Sequence, residues 1–195
     1  DIEALGVVNL GAIDELARLQ ERIDFLQEQQ DDLRQGELSL HRIIDEIDQR
    51  MAHFFNEAFV EIGSNLQEVF SELFQGGKVL LRLTDPDHLL ESGIEIIAQP
   101  PGKKLQNISL LSTGEKTLTA VALIFAILQY KPAPFYLLDE VESALDDVNL
   151  SRFTAYLKEA ARSAQFILIT HRRRTMEEAD ILYGVTMPEE GVSKL

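Results

Sequence analysis

The chain has 195 residues, of which 45% are hydrophobic, so it can bury one medium-sized core and still supply an extended element. It contains no cysteine, which excludes disulfides and thiolate metal sites and fits a reducing cytoplasm. No signal peptide is visible, and the longest nearly apolar run, residues 118–128, is too short to cross a bilayer. We therefore expect a cytoplasmic protein with no membrane partner.

The negative charge is concentrated in the first third of the chain. The formal net charge is −15, and residues 1–74 hold 17 acidic and 5 basic residues, against 16 and 13 in residues 75–195. An acidic element repels phosphate backbones, so the first third is a poor candidate for a DNA-binding surface.

An apolar stripe runs from residue 16 to residue 58 in alternating steps of three and four. Its apolar members are Leu16, Leu19, Ile23, Leu26, Leu33, Leu40, Ile44, Ile47, Met51, Phe54 and Ala58. A sustained spacing of 3.5 residues predicts a coiled-coil helix, whose partner strand is not in this sequence. The alternative is an ordinary amphipathic helix that packs on its own domain.

The helix pattern becomes more aromatic towards Phe74 and stops at Gln75-Gly76-Gly77. We therefore predict a coiled-coil or neck helix over residues 1–74 and a compact lobe over residues 75–195. Strands are predicted at 78–83, 94–98, 135–138, 166–170 and 181–187, and helices at 114–129, 148–162 and near Met176. Buried strands that alternate with helices predict an α/β lobe with a mainly parallel sheet covered on both faces.

The strongest local signal is an apolar strand that ends in two adjacent carboxylates, Asp139 and Glu140. Ligands of parallel sheets bind beyond the carboxyl ends of the strands, where both acids emerge. The first carboxylate can hold magnesium directly or through water, and the second can orient or deprotonate an attacking water. The alternative is that the pair only caps the next turn.

A second signal, Ser112-Thr113-Gly114-Glu115, opens a long helix. Ser112 and Glu115 have the spacing of a capping box, but that interpretation leaves Gly114 unexplained inside a first turn. A free helix N-terminus with a hydroxyl and a glycine also suits a phosphate. Because the acidic strand end follows 25 residues later, we prefer the phosphate site.

Two further residues complete the set of candidates. Asp146 or Asp147 is expected to cap the helix that follows, and His171 comes directly after a buried strand, where its imidazole could reach a γ-phosphate. A lone histidine after a strand is more often structural, so its weight comes from the neighbouring motifs.

In this order the motifs resemble those of an ABC-type ATPase, and in particular the bacterial SMC (structural maintenance of chromosomes) family. The resemblance covers almost the whole chain, from Leu5-Gly6-Val7-Val8-Asn9-Leu10 through residues 100–104, 138–146 and 170–172 to Tyr183-Gly184-Val185-Thr186-Met187. It implies the C-terminal lobe of an ATPase head with an N-terminal coiled-coil helix.

The resemblance also implies roles for single residues. Asp139 would hold Mg²⁺ through water, Glu140 would be the catalytic base and His171 the switch histidine. ATP held by an opposite head would be contacted in trans by Ser112, Gly114, Glu115 and Asp146. The family usually has glycine where this chain has Thr113, and a β-branched residue there adds bulk and resists positive φ.

A phosphate-binding loop of the form G-x-x-x-x-G-K-[S/T] is missing from the sequence. In SMC proteins that loop lies in an N-terminal head segment, which this chain would need as a partner, together with a second head in a homodimer. The resemblance further implies a kleisin subunit, on the apolar stripe or on residues 191–195, and DNA in the full, nucleoid-associated complex. Residues 172–174, three arginines, could touch DNA, but we favour a solvated surface.

Two other functions remain open at this point. The chain could be a structural fragment that binds a kleisin without any role for ATP, which Thr113 favours slightly. It could also belong to a related coiled-coil DNA-repair ATPase.

Overall fold

The computed structural model describes residues 11–189 and 191–194. Its helices are α1 (Ala12–Phe74), α2 (Thr113–Tyr130), α3 (Asp147–Ala160) and α4 (Arg173–Glu177), with a 3-10 helix at Ile108–Leu110. Its strands are β1 (Lys78–Leu83), β2 (Ile94–Gln99), β3 (Gln106–Asn107), β4 (Phe135–Asp139), β5 (Gln165–Ile169), β6 (Thr186–Glu189) and β7 (Val192–Lys194). Two compact units, residues 1–52 and residues 53–195, make up the chain.

The described part of the first unit is helical from Ala12 onwards, and the predicted long helix is confirmed. Its apolar stripe is uncovered: Leu33 is 75% exposed and Ile47 is 49% exposed. Leu5 to Leu10, which carried part of the family resemblance, lie outside the described residues. Pairing of the stripe with a second helix stays a prediction.

The core of the second unit is formed where the last turns of α1 meet α2 and α3. Its largest members, all at most 3% exposed, are Leu66, Phe70, Leu73, Phe74, Leu118, Phe125, Leu150 and Phe153. The change from an exposed stripe to a buried aromatic face along α1 agrees with the aromatic pattern of the sequence. The boundary between coil and lobe at residue 74 stays a prediction.

The end of α1 is set by a run of left-handed residues. Gln75, Gly76 and Gly77 have φ values of 58°, 121° and 91°, so the helix cannot continue beyond Phe74. A Cβ on Gly77 would lie 2.5 Å from the Gln99 carbonyl oxygen, so only glycine fits there. The chain leaves this turn directly into β1.

The first sheet is antiparallel. β1 pairs with β2 from Lys78↔Gln99 to Leu83↔Ile94, and β2 pairs with β3. The prediction of a mainly parallel sheet is therefore wrong for the described residues, since three of their four strand pairs are antiparallel. The connection from residue 84 to residue 93 holds no crossover helix, so β1 and β2 can pair only as a hairpin.

One strand pair is parallel, and it is the one that carries the acidic pair. β4 and β5 pair in register from Phe135↔Gln165 to Asp139↔Ile169, with α3 as the crossover. Leu138, Phe166 and Leu168 face the core, and the Tyr136 ring packs 5.2 Å from that of Phe166. The other face is open: its members are Phe135 (58% exposed), Leu137 (60%), Ile167 (45%) and Ile169 (50%). The prediction that helices cover both faces is thus wrong within the described residues.

The last predicted strand is also corrected. Residues 181–185 are not in a strand, and β6 starts only at Thr186 and pairs antiparallel with β7. Gly184 interrupts the apolar run, and Gly191 at φ 80° lets the chain reverse into β7. The prediction of one strand over residues 181–187 is wrong because it extends the apolar pattern across Gly184.

No helix of the described residues is long and apolar enough to cross a membrane.

The α2–α3 contact predicts a change of stability at alkaline pH. The Tyr156 ring lies 4.8 Å from the Phe125 ring, and its hydroxyl accepts from Gln129 at 3.2 Å. Burial, followed by the negative charge of Glu72, raises the pKa of Tyr156 to about 12. Because the unfolded state ionises near pH 10, stability is expected to fall as pH rises from 10 to 12.

Urea denaturation at pH 8, 10 and 11 measures this loss. Tyr156→Phe should remove part of the decline, whereas Tyr183→Phe, at a position 77% exposed, should leave it unchanged. Equal declines in all three proteins would contradict this assignment.

Candidate functional site

The acidic pair lies at the carboxyl edge of the parallel strands. Asp139, the last residue of β4, pairs with Ile169, the last residue of β5. The Glu140 N–H donates to the Ile169 carbonyl oxygen at 2.9 Å, which ties the first residue beyond β4 to the end of β5. Both acidic residues are exposed. They are therefore accessible at the edge where parallel sheets bind their ligands.

Glu140 combines an unusual backbone conformation with a neighbouring histidine. Its φ of 47° lies in the left-handed region, which costs a residue with a side chain roughly 1–2 kcal/mol. Its Oε1 lies 3.2 Å from Nδ1 of His171, and the two side chains are 53% and 63% exposed. Strained backbones cluster at functional sites, and this pair is accessible to a water or a phosphate.

A buried network connects the two strand ends. Glu142 is 1% exposed, and its Oε1 accepts a hydrogen bond from the Thr170 hydroxyl. The same Thr170 oxygen accepts from the Arg172 N–H at 3.0 Å. Oε2 of Glu142 has no partner among the described residues. Thr170 is therefore the hydrogen-bond partner on which this buried carboxylate depends.

Arg172 reaches from the end of β5 to the turn that precedes α3. Its Nη2 lies 2.7 Å from the Ser143 carbonyl oxygen and 3.1 Å from that of Leu145. The side chain is half-buried, while Arg173 and Arg174 are exposed. The expectation of a solvated surface is thus wrong for Arg172, because backbone carbonyls of this turn take up its guanidinium.

The start of α2 contains the predicted capping contact. Ser112 is the N-cap, and its N–H and hydroxyl both donate to Glu115 Oε2, at 3.1 and 2.6 Å. Lys103 Nζ lies 2.8 Å from the same oxygen. Burial alone would raise the pKa of Glu115, but hydrogen bonds from Lys103 and Ser112 outweigh burial and lower it. Glu115 is therefore a carboxylate at neutral pH that orders both neighbours.

The N-terminus of α3 lies beside that of α2. Asp146 caps α3, since its Oδ1 accepts from the Asn149 N–H at 2.8 Å. A Cβ on Gly114 would lie 3.3 Å from Asn149 Nδ2 and 3.6 Å from Asp146 Oδ2. Close packing therefore gives Gly114 a reason that is independent of any phosphate. Thr113 is the first residue of α2 and has no positive φ, so its β-branch strains nothing here.

The seven predicted site residues fall into two groups. Three share the strand edge: Asp139, Glu140 and His171. Four gather at the N-termini of α2 and α3: Ser112, Gly114, Glu115 and Asp146. Helix N-termini attract phosphate, and strand ends present the carboxylates. No cluster of three or more acidic or histidine side chains suited to a metal occurs in the described range, so a magnesium ion would also need phosphate and water oxygens.

Several residues of the site were not found from the sequence. They are Lys103, Glu142, Asn149, Thr170 and Arg172. Thr170 and Arg172 flank the predicted histidine, and Glu142 follows the predicted base by two positions, so their place in the chain was a usable signal. Nothing in the sequence distinguished Lys103 from Lys104 as the partner of Glu115.

Accessible carboxylates at a parallel strand edge, beside two helix N-termini, are the features of an α/β fold in which a ligand would bind at this edge. Comparisons with known proteins narrow this class of fold. The family model described as RecF/RecN/SMC N terminal domain matches residues 13–194. The chain therefore belongs to that family.

One relative and two solved structures illustrate this similarity. Chromosome partition protein Smc of Bacillus subtilis strain 168 is 59% identical over 194 residues, which is 100% of this chain but 16% of that protein. The Smc head domain with an extended coiled coil, bound to the C-terminal domain of ScpA and derived from Pyrococcus furiosus, is 38% identical with a TM-score of 0.70, over 94% of this chain and 46% of that one.

The second structure comes from work on the ATP-driven dimerization and DNA-stimulated activation of SMC ATPases. It is 43% identical with a TM-score of 0.68, over 73% of this chain and 86% of that one. The chain is thus an α/β SMC head-domain fold with a long N-terminal helix, and it spans a small part of the length of the relative above.

The network at Thr170 predicts a large effect of a nearly isosteric substitution. Thr170→Val removes the hydrogen bond to a carboxylate that is 1% exposed and has no other partner among the described residues. We expect the free energy of unfolding to fall by about 2–4 kcal/mol. Thr170→Ser keeps the hydroxyl and should cost less than about 1 kcal/mol. Urea denaturation measures both, and a Val variant as stable as the Ser variant would refute the role of Thr170.

Proposed function

We propose that this chain is the C-terminal half of an SMC ATPase head and supplies half of an ATP-hydrolysing site that drives head engagement in chromosome condensation and segregation. The observation that carries the proposal is the accessible Asp139-Glu140 pair beside His171, in a sequence that has no phosphate-binding loop. Such a site can act on ATP only when another segment cradles the phosphates.

The strand edge would carry the chemistry. Asp139 fits a magnesium ion held through water, because one accessible carboxylate plus phosphate oxygens is a common magnesium environment. Bound Mg²⁺ would neutralise phosphate charge. Glu140 would accept the proton of the attacking water as general base. His171, 3.2 Å from Glu140, would hold that carboxylate in place and face the γ-phosphate.

The helix N-termini would contact ATP held by a second head. Ser112 offers an exposed hydroxyl and Gly114 a backbone N–H at the positive end of α2. The carboxylate of Glu115 would keep Ser112 in position, since it already accepts from that residue. Asp146 would act across the interface from the N-terminus of α3. The relative studied for ATP-driven dimerization supports such a pairing of heads into a homodimer.

The open face of β4 and β5 supports an additional head segment. Four large apolar side chains, Phe135, Leu137, Ile167 and Ile169, are 45–60% exposed on adjacent strands. Parallel sheets are normally covered on both faces, so this surface needs an apolar cover. We propose that the N-terminal head segment of the same protein, which carries the phosphate-binding loop, supplies it. The name of the matched family mentions an N-terminal domain, and our assignment to the C-terminal half rests on the motifs alone.

Membership of the family also suggests a coiled-coil partner for α1, a kleisin subunit and DNA. The exposed stripe of α1 would pair with a coiled-coil strand, and a kleisin subunit would bind beside it, as the Pyrococcus furiosus head bound to ScpA suggests. DNA would be bound by the complete complex in the cytoplasm, at the nucleoid. The acidic character of residues 1–74 argues against DNA contact there.

Steady-state ATP hydrolysis tests the proposal. The chain alone should show no magnesium-dependent activity, and activity should appear when the separately expressed N-terminal head segment is added. Glu140→Gln should lower that activity by about 10²-fold or more, because it removes the base. Glu159→Gln, an exposed acid on α3, is the matched control and should leave the activity unchanged.

Turnover by the pure chain would refute the split site. An active Glu140→Gln mixture would refute the assigned base.

A further inference from the structure

We infer that Arg172 is a positioning residue that couples the strand-edge group to the helix N-terminal group of the site. The two groups are the ones defined above, and the inference rests on the proposed ATPase function. Its basis is that consecutive residues after β5, His171 and Arg172, contact opposite ends of the segment from Glu140 to Leu145.

The contact of Arg172 with the turn before α3 is specific. One guanidinium nitrogen donates to the carbonyl oxygens of Ser143 and Leu145, at 2.7 and 3.1 Å. Hydrogen bonds from a charged donor are stronger than those between neutral groups. Leu145 is 2% exposed and directly precedes Asp146, so the contact fixes the point where the chain turns into α3.

The other end of Arg172 is anchored in the buried network. Its backbone N–H donates to the Thr170 hydroxyl oxygen, which is bound to Glu142. Its Nε is buried and without a partner among the described residues, while the side chain as a whole is half-buried. Arg172 is thus fixed both at its backbone and at its side chain.

Arg172 links the position of His171 to that of the turn before α3. If the segment that carries His171 moves during ATP hydrolysis, Arg172 moves the carbonyl groups of Ser143 and Leu145 with it. Asp146 comes next in the chain and lies against the Gly114 position at the start of α2. The strand edge of one ATP site and the helix N-termini that face the other would therefore change position together.

Variants of the full-length protein in its complex test this coupling. Arg172→Ala should lower kcat for ATP about tenfold while KM for ATP stays within about twofold, since the Arg172 guanidinium is engaged by the Ser143 and Leu145 carbonyl oxygens. Amide hydrogen exchange of residues 141–146 should become faster, and that of β1 and β2 should not change. Arg172→Lys keeps the charge but not the planar fork, and should recover part of kcat. Arg174→Ala, an exposed neighbour, is the matched control.

The outcomes separate this inference from the proposed function. If Glu140→Gln in the same assay is fully active, the proposed function fails, and the inference fails with it. If Glu140→Gln is inactive but Arg172→Ala has the kcat and exchange of the parent, only the inference is overturned. Should Arg172→Ala not fold, Arg172→Lys decides: lower kcat with faster exchange supports coupling, and parental values overturn it.

Discussion

The site depends on the parallel backbone pairing of β4 with β5. This pairing aligns Asp139 with Ile169, and the hydrogen bond from Glu140 to Ile169 extends it by one residue. The pairing brings an acidic strand end and a histidine 31 positions later in the chain to within 3.2 Å. A slip of one residue would turn the half-buried Phe166 and Leu168 of β5 outward and separate the two side chains.

The sheet that this pairing forms has one face that no described residue covers. Parallel sheets are normally covered on both faces, and this sheet leaves one apolar face open. As proposed above, one segment would both cover this face and supply the phosphate-binding loop. The uncovered stripe of α1 indicates a further partner by the same reasoning. Two exposed apolar surfaces agree with a chain that spans 16% of its Bacillus relative.

Local signals in the sequence predicted most helices and strands. Periodicity predicted α1, and Gln75-Gly76-Gly77 predicted its end, because chain reversal there requires positive φ. Apolar runs predicted β1, β2, β4 and β5 within about two residues. Pairing was less predictable, since run length and composition do not state which strands are neighbours. The mainly parallel sheet was wrong for that reason, whereas the strand at 181–187 was wrong because Gly184 interrupts the apolar run.

In the candidate site, too, local features were predictable from the sequence and long-range contacts were not. Motif spacing predicted the residues that could meet a nucleotide, and the structure brings them together in two groups. The hydrogen-bonding residues around them, Glu142, Thr170 and Arg172, could not be predicted, because their contacts join segments that are distant in the sequence. Gly114 shows a different limit. The sequence suggested a ligand as the reason for glycine, and the structure adds close packing against Asn149 and Asp146 as a second reason.

The central claim is that the open face of β4 and β5 is covered by the segment that brings the phosphate-binding loop. The chain has no tryptophan, so Phe135→Trp places a single emitter on that face. Its fluorescence should shift to the blue when a tryptophan-free N-terminal head segment is added, while Tyr183→Trp should stay solvent-like. An unshifted Phe135→Trp emission in a mixture that forms the complex would contradict the account.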